Sequence, residues 1–314
     1  MPPATPKDKT LAAATSIMIY AVIVGYLDNY VRVIAGEAGL WQFHATRAAF
    51  AVPMLVAAGY ASGTRLWPAN LGAVAARSAI HGVAMLIYFG ALAFLPVAQV
   101  AAGLFTAPIF VLIITRIAYH RPIRPIQTLA VAAGFAGAVL VLGPQAFAGT
   151  SIASLLPVVA GAMYAMGNIA TREWCAAESA LTLLAGFFLA LGTFGIAGMA
   201  LLEVFAANAA AGAEGFVLRG YVSPTRLFLF WTFLQAAGSV IGVGLMIHAY
   251  QIASVARVSV FEYLLLPSSA LWGWIIWDEV PGPLAIIGIA LIAAAGIIIA
   301  TAAPRPAKAA PPAC

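Results

Sequence analysis

Residues 97–122 read VAQVAAGLFTAPIFVLIITRIAYHRP, and residues 255–281 read VARVSVFEYLLLPSSALWGWIIWDEVP. Both runs open V-A-x-V, both carry a proline in mid-run (Pro108, Pro267), and both close on a polar pair ahead of another proline. The pair is His120 with Arg121 in the first run and Asp278 with Glu279 in the second. An apolar run of this length is long enough to cross a bilayer as a helix. Its return in the second half of the chain marks an internal duplication.

The rest of the 314 residues agrees with a membrane reading. The chain is 64% hydrophobic and 8% charged, with a mean hydropathy of +1.02, and a soluble domain of that length needs far more charge to cover its surface. The runs are too long and too uniformly apolar for barrel strands, so the class is a polytopic helical bundle. Cys175 and Cys314 supply neither a disulfide framework nor metal-ligand spacing. The net charge of +5 is spread over short loops, which suits topology rather than nucleic acid. The segment MPPATPKDKT leads into the first apolar run without a small-residue cleavage site, so that run is expected to stay as a helix. No Walker loop, dinucleotide fingerprint, nucleophile elbow, HExxH or Cys/His cluster is present. An enzyme, a bound cofactor, a metal site and direct ATP coupling are therefore not expected.

Ten spans of roughly 20 residues fit the hydrophobic pattern, near 12–33, 40–60, 72–94, 98–118, 126–146, 152–171, 181–205, 227–250, 254–277 and 282–302. The expected organisation is a cytoplasmic segment (1–11), a first five-helix repeat (12–146), a second five-helix repeat (147–302) and a disordered cytoplasmic tail (303–314). The connection near 206–226 is long enough for a surface loop or a short interfacial helix. With the N-terminus inside, Lys7, Lys9, Arg65, Arg77, Arg116, Arg121, Arg124, Arg172, Arg257, Arg305 and Lys308 collect on the inner side. Arg32, Arg47, Arg219 and Arg226 collect on the outer side, so both termini are placed in the cytoplasm. Five spans per half make the two repeats inverted, and His120 then faces inward where Glu279 faces outward. Inverted repeats are a transporter architecture, with substrate held near mid-membrane where the repeats meet.

The elements A-L-x-x-x-x-V-A (Ala91 to Ala98) and A-Y-x-x-x-x-V-A (Ala249 to Ala256), the prolines Pro108 and Pro267, and the charged turn before the fifth helix of each half resemble the EamA-type repeat. Arg47, in HATRAAFAVPML, resembles an arginine often seen in the second helix of that family. The resemblance is to the drug/metabolite transporter superfamily, covers essentially the whole chain, and is nearest in pattern to YddG-like amino-acid exporters of the bacterial inner membrane. His120 with Arg121 departs from the family's usual Glu-Arg turn. The resemblance implies a multi-pass inner-membrane carrier of aromatic and other amino acids.

Ionisable and polar groups within spans point to function, because hydrocarbon makes them costly. Glu262, about eight residues into the ninth span, is read either as a carboxylate that binds a proton or an ammonium group, or as one paired with an Arg, Tyr or Ser of a neighbouring helix. His81 lies mid-span with Tyr88 two turns further along the same face. Its imidazole suits substrate or proton handling, or simply a hydrogen bond to a neighbouring helix. Pro157, Gly161, Tyr164 and Asn168 share one face of the sixth span, with Tyr164 and Asn168 expected to reach a cavity. In the eighth span Gln235 is the substrate candidate on a stripe with Trp231, Gly238, Ser239 and Gly242. Trp272, Trp274 and Trp277 are expected in the interfacial belt. Asp28, Arg32 and Arg47 are expected to form a structural or gating ion network, Asp28 and Arg32 pairing four residues apart. Pro53, Pro96, Pro108, Pro157 and Pro267 are expected to kink or end helices, with Pro108 and Pro267 as matched kinks.

The expected function is a monomeric secondary transporter in the lipid bilayer. It would export small amphipathic metabolites, foremost aromatic or hydrophobic amino acids, by alternating access. An uptake or exchange carrier for another metabolite, such as S-adenosylmethionine or a nucleotide sugar, and a multidrug exporter are the alternatives within that class. An intramembrane lipid-modifying enzyme or a membrane scaffold is the alternative outside it.

Overall fold

A computed structural model describes residues 9–91, 95, 97–143, 155–205 and 215–301. The expected tail at 303–314, most of the segment 1–11 and Pro96 lie outside the described residues. Every regular element among the described residues is helical. In chain order they are α1 (Thr10–Asp28), α2 (Val31–Glu37), α3 (Leu40–Ser62), α4 (Leu71–Ala91), α5 (Val97–Leu104), α6 (Ala107–Ile117) and α7 (Pro125–Leu142). There follow α8 (Leu156–Glu173), α9 (Ala180–Val204), α10 (Arg226–Ile252), α11 (Val255–Phe261), a 3₁₀ turn (Glu262–Leu264), α12 (Leu265–Trp277) and α13 (Pro283–Thr301).

Among the described residues, eight stretches are long and apolar enough to cross a membrane, namely 10–37, 71–91, 99–117, 125–142, 180–204, 226–252, 255–277 and 283–301. The other two long helices, α3 and α8, stand where the second and sixth spans are expected but carry more polar side chains. Those side chains point inward: Gln42, His44 and Arg47 of α3 and Asn168 and Thr171 of α8 are all buried. Large apolar residues are turned outward instead, among them Leu189, Ile196, Ile241, Ile286 and Ile297. An apolar exterior around a polar interior is the distribution that hydrocarbon selects.

Local chemistry sets where helices start and stop. Ser179 Oγ accepts the Thr182 N–H (3.0 Å) at the start of α9, and Thr225 Oγ1 accepts the Phe228 N–H (3.1 Å) at the start of α10, satisfying donors that the first turn leaves free. α3 stops at Gly63, whose φ of 66° is open to glycine at no steric cost. Pro53 sits inside α3 without interrupting it. The segment from 215 to 225 lies against α3, with Leu40 N–H donating to Phe216 O (2.7 Å) and Trp41 Nε1 to Val217 O (2.8 Å).

Small residues let helices touch backbone to backbone. A Cβ on Gly161 would come within 2.6 Å of Gly103 O, and one on Gly288 within 2.5 Å of Gly137 O. These contacts join α5 to α8 and α7 to α13. The expected packing role of Gly161 matches this arrangement.

Three stretches expected as single spans are each interrupted. The first breaks at Asn29 and Tyr30 between α1 and α2, the fourth at Phe105 and Thr106, and the ninth at the 3₁₀ turn from Glu262. Pro108 lies in the first turn of α6 and Pro267 in the first turn of α12. Both prolines open a second half-helix, where a missing N–H costs little, rather than kinking a continuous one. The two breaks are in contact: the Tyr263 hydroxyl donates to Phe105 O (3.2 Å) and the two rings lie 5.9 Å apart. Irregular backbone at membrane depth requires such internal satisfaction.

The two repeated runs, 97–122 and 255–281, also end alike. His120 (φ 50°) and Asp278 (φ 55°) are the two non-glycine residues with left-handed backbone among those described. The next N–H in each case reaches back to a carbonyl of the preceding turn, Arg121 to Thr115 O (3.1 Å) and Glu279 to Gly273 O (3.3 Å). Each closes over the left-handed residue from six positions back, one position longer than the bond of a Schellman stop.

Candidate functional site

Where the broken helices meet α1, α3, α4, α8 and α10, the bundle encloses a cavity of about 110 Å³. Its walls are aromatic and apolar, with Met85, Phe89, Phe105, Phe187, Val243 and Met246 among them. Into it project Asp28 and Glu262, Arg47 and Arg77, His81, Ser239, and the phenols Tyr20, Tyr88 and Tyr164. Both signs of charge therefore face one largely apolar space.

Two polar groups can be distinguished. The first surrounds Glu262, placed at the start of the 3₁₀ turn and 6% exposed. Its Oε1 accepts the Tyr164 hydroxyl (2.7 Å) from α8, and its Oε2 accepts the Tyr250 hydroxyl (2.9 Å) from α10. Tyr164 also lies against the Met246 sulfur (3.0 Å) and 5.2 Å from the His81 ring. His81 Nε2 meets Asn168 Oδ1 at 3.0 Å, and Gly167 leaves room for the imidazole. Arg77 is held by Thr171 Oγ1 (Nε, 2.9 Å) and Leu183 O (Nη1, 3.0 Å). The carboxylate is thus met by phenols on two other helices, which is the second of the two sequence readings of Glu262, within a cavity wall, which is the setting of the first.

The second group lies toward the α1–α2 break. Arg47 donates to Ser239 Oγ and runs past the faces of Phe188 and Phe43, at 5.5 and 5.6 Å. Asp28 and Tyr88 line the cavity beside it. Arg47 Nε and His81 Nδ1 are buried polar atoms without a hydrogen-bond partner among the described residues, each on a residue that lines the cavity. A substrate that satisfied them would recover the cost of burying them unpaired.

Of the expected substrate residues, His81, Tyr88, Tyr164 and Glu262 line the cavity, and Asn168 stands behind His81. Gln235 does not line it, because its Nε2 is committed to Leu27 O (2.9 Å) at the end of α1. Trp231 stacks on Tyr30 with ring centroids 3.5 Å apart. The glycines of that stripe pack against α1, Gly238 on Leu27 and Gly242 on Val24, while Ser239 lines the cavity.

The expected pairing of Asp28 with Arg32 is not formed. The helix breaks between them at Asn29 and Tyr30, which removes the spacing that would stack the two side chains. Asp28 turns to the cavity, while Arg32 pairs with Glu279 (3.0 Å) and lies 3.8 Å over the Trp277 ring. The ionisable cavity residues Tyr20 and Arg77 were not among the candidates, and neither was Tyr250, which donates to Glu262 without lining the cavity. Arg77 stands with the topogenic charges in the sequence reading, yet it is 1% exposed. An arginine six residues into an apolar run is itself the signal of a buried functional charge. Tyr250 is the tyrosine of A-Y-x-x-x-x-V-A, a position that no helical spacing connects to Glu262.

Comparison with known proteins agrees with this architecture. Residues 11–143 match the EamA-like transporter family. The chain is 25% identical to a riboflavin transporter of Rhizobium johnstonii, over 91% of this chain and 88% of that one. It is 26% identical to a riboflavin transporter of Brucella anthropi, over 82% and 85%. A pseudopaline exporter of Pseudomonas aeruginosa is 24% identical over 71% and 72%. A solved structure titled "Crystal structure of protein" shares the fold, with a TM-score of 0.74 at 19% identity, covering 94% of this chain and 98% of that one. The chain is thus an apolar-coated helical bundle with a charged internal cavity, similar over residues 11–143 to the EamA-like transporter family and along most of its length to proteins named as transporters.

Proposed function

We propose that the chain is a secondary carrier of ten spans in two inverted five-helix repeats, both termini cytoplasmic, working by alternating access. Its substrates on this reading are small amphipathic metabolites, foremost aromatic or hydrophobic amino acids, moved outward. One observation carries the substrate class: acidic and basic side chains, Glu262 and Asp28 with Arg77 and Arg47, face a single cavity walled by Phe, Tyr and Met. A zwitterion with an apolar side chain needs both charges and an apolar wall, because each of its ionic groups is costly to bury alone. The matched helix breaks at Phe105 and Glu262 support the repeat reading, since discontinuous helices in corresponding positions line the binding site of inverted-repeat carriers.

A second reading rests on the relatives named riboflavin transporter. A flat heteroaromatic ring bearing a polar chain also suits aromatic walls with hydrogen-bonding ends. The deciding experiment is release from proteoliposomes preloaded with labelled phenylalanine, tryptophan, leucine or riboflavin. Faster release of the amino acids than from empty vesicles is the expected result. Riboflavin flux alone would select the second reading, and rates equal to empty vesicles across the panel would sink both.

A further inference from the structure

Two exposed ion pairs occupy matched places in the repeated runs. Arg121, the residue after left-handed His120, makes a two-pronged pair with Glu173 at the end of α8, each prong 2.9 Å. Glu279, the residue after left-handed Asp278, pairs with Arg32 of α2 at 3.0 Å. The residue before each left-handed position is aromatic and joins the contact. Tyr119 takes the Trp174 Nε1–H (2.9 Å) beside Glu173, and Trp277 lies under Arg32 and 5.7 Å from Tyr30. The basic partner comes from the repeated run in the first case and the acidic partner in the second, so the charges are exchanged.

The pairs close opposite ends of the bundle. Lys9 N–H bonds to Ile252 O (3.3 Å) and Arg172 Nη1 to Gln251 O (3.1 Å), which places the start of α1, the end of α8 and the end of α10 together. Glu173 and Arg121 belong to that end, whereas Arg32 lies beyond the far end of α1. Each pair joins an element of the first half to one of the second.

We propose that these contacts are two charge-exchanged latches, one sealing each mouth of the cavity, which open alternately as the carrier cycles. The proposal rests on the alternating-access reading above. Exposure is the property a latch needs: the side chains are 49% and 59% exposed in one pair and 51% and 16% in the other. Exposed ion pairs shift a two-state equilibrium by at most about fivefold. Such a contact biases which mouth is closed and still breaks within each turnover.

The test uses the full chain with Cys175→Ala and Cys314→Ala, and Val24→Cys on the cavity wall as reporter, reconstituted in vesicles. Labelling by a membrane-impermeant maleimide is timed separately from each face. Arg32→Gln should speed labelling from the face of Arg32 by about two- to fivefold and slow it from the other face. Arg121→Gln should do the reverse, and the exchanged pair Arg32→Glu with Glu279→Arg should return toward the parent rates without loss of folded protein on gel filtration. Variants of the two pairs that shift labelling in the same direction, or not at all, would overturn the latches while leaving the carrier reading intact. A reporter reached from one face alone in the parent and in every variant would overturn alternating access as well. The readout requires no substrate, so a wrong substrate class does not disturb it.

Discussion

Glu262 takes its two hydrogen bonds from hydroxyls on different helices, so removing either phenol leaves a buried acceptor unmet. Tyr250→Phe should lower stability by about 1–3 kcal/mol, read as earlier unfolding in detergent. In a Glu262→Gln background the same change should cost measurably less, because the two residues share one interaction; equal costs in both backgrounds would count against the contact. Gly167→Ala would drive a methyl group into the His81 ring, and flux should fall while the far latch residues stay ordered. At this scale the sequence was half informative. Glu262 and His81 declare themselves by sitting in hydrocarbon-length runs. Arg77 sits in one too, but reads as one of many inner charges. Tyr250 and Gln235 depend on which neighbouring helix each side chain faces, and periodicity along one helix carries no such information.

Among the elements, the broken runs were legible through Pro108 and Pro267, and the break at Asn29 and Tyr30 was not, since no proline or glycine marks it. Its cause is tertiary: Asn29 Nδ2 bonds to Gly25 O (2.8 Å) and Ser269 O (3.1 Å), replacing helical bonds with a tie to α12. Losing the break from view is also why Asp28 and Arg32 looked like partners. Tyr263→Phe removes the donor that satisfies Phe105 O and should destabilise the fold by about 1–3 kcal/mol, measured by thermal unfolding. Gly288→Leu should be harsher at the α7–α13 contact, because the added carbons meet Gly137 O and backbone cannot move aside as a side chain can. A Gly288→Leu protein with parental unfolding temperature would show that the two helices are not packed as described.

For the whole molecule, composition and the repeated run were enough to read a polytopic helical bundle. The polar faces of α3 and α8 became intelligible only once folding turned them toward the cavity. Single cysteines replacing His120 and Glu279 should be labelled from opposite sides of the membrane, and labelling from one side would remove the inverted arrangement of the repeats. The touching breaks at Phe105 and Tyr263 bear on how such a bundle moves. A joint shared by both halves acts as a common fulcrum, so displacement of one broken helix is transmitted to the other as on a beam balance. Spectroscopic distances tracked separately in α5–α6 and α11–α12 should then change in step, with no state in which one has swung and its counterpart has stayed.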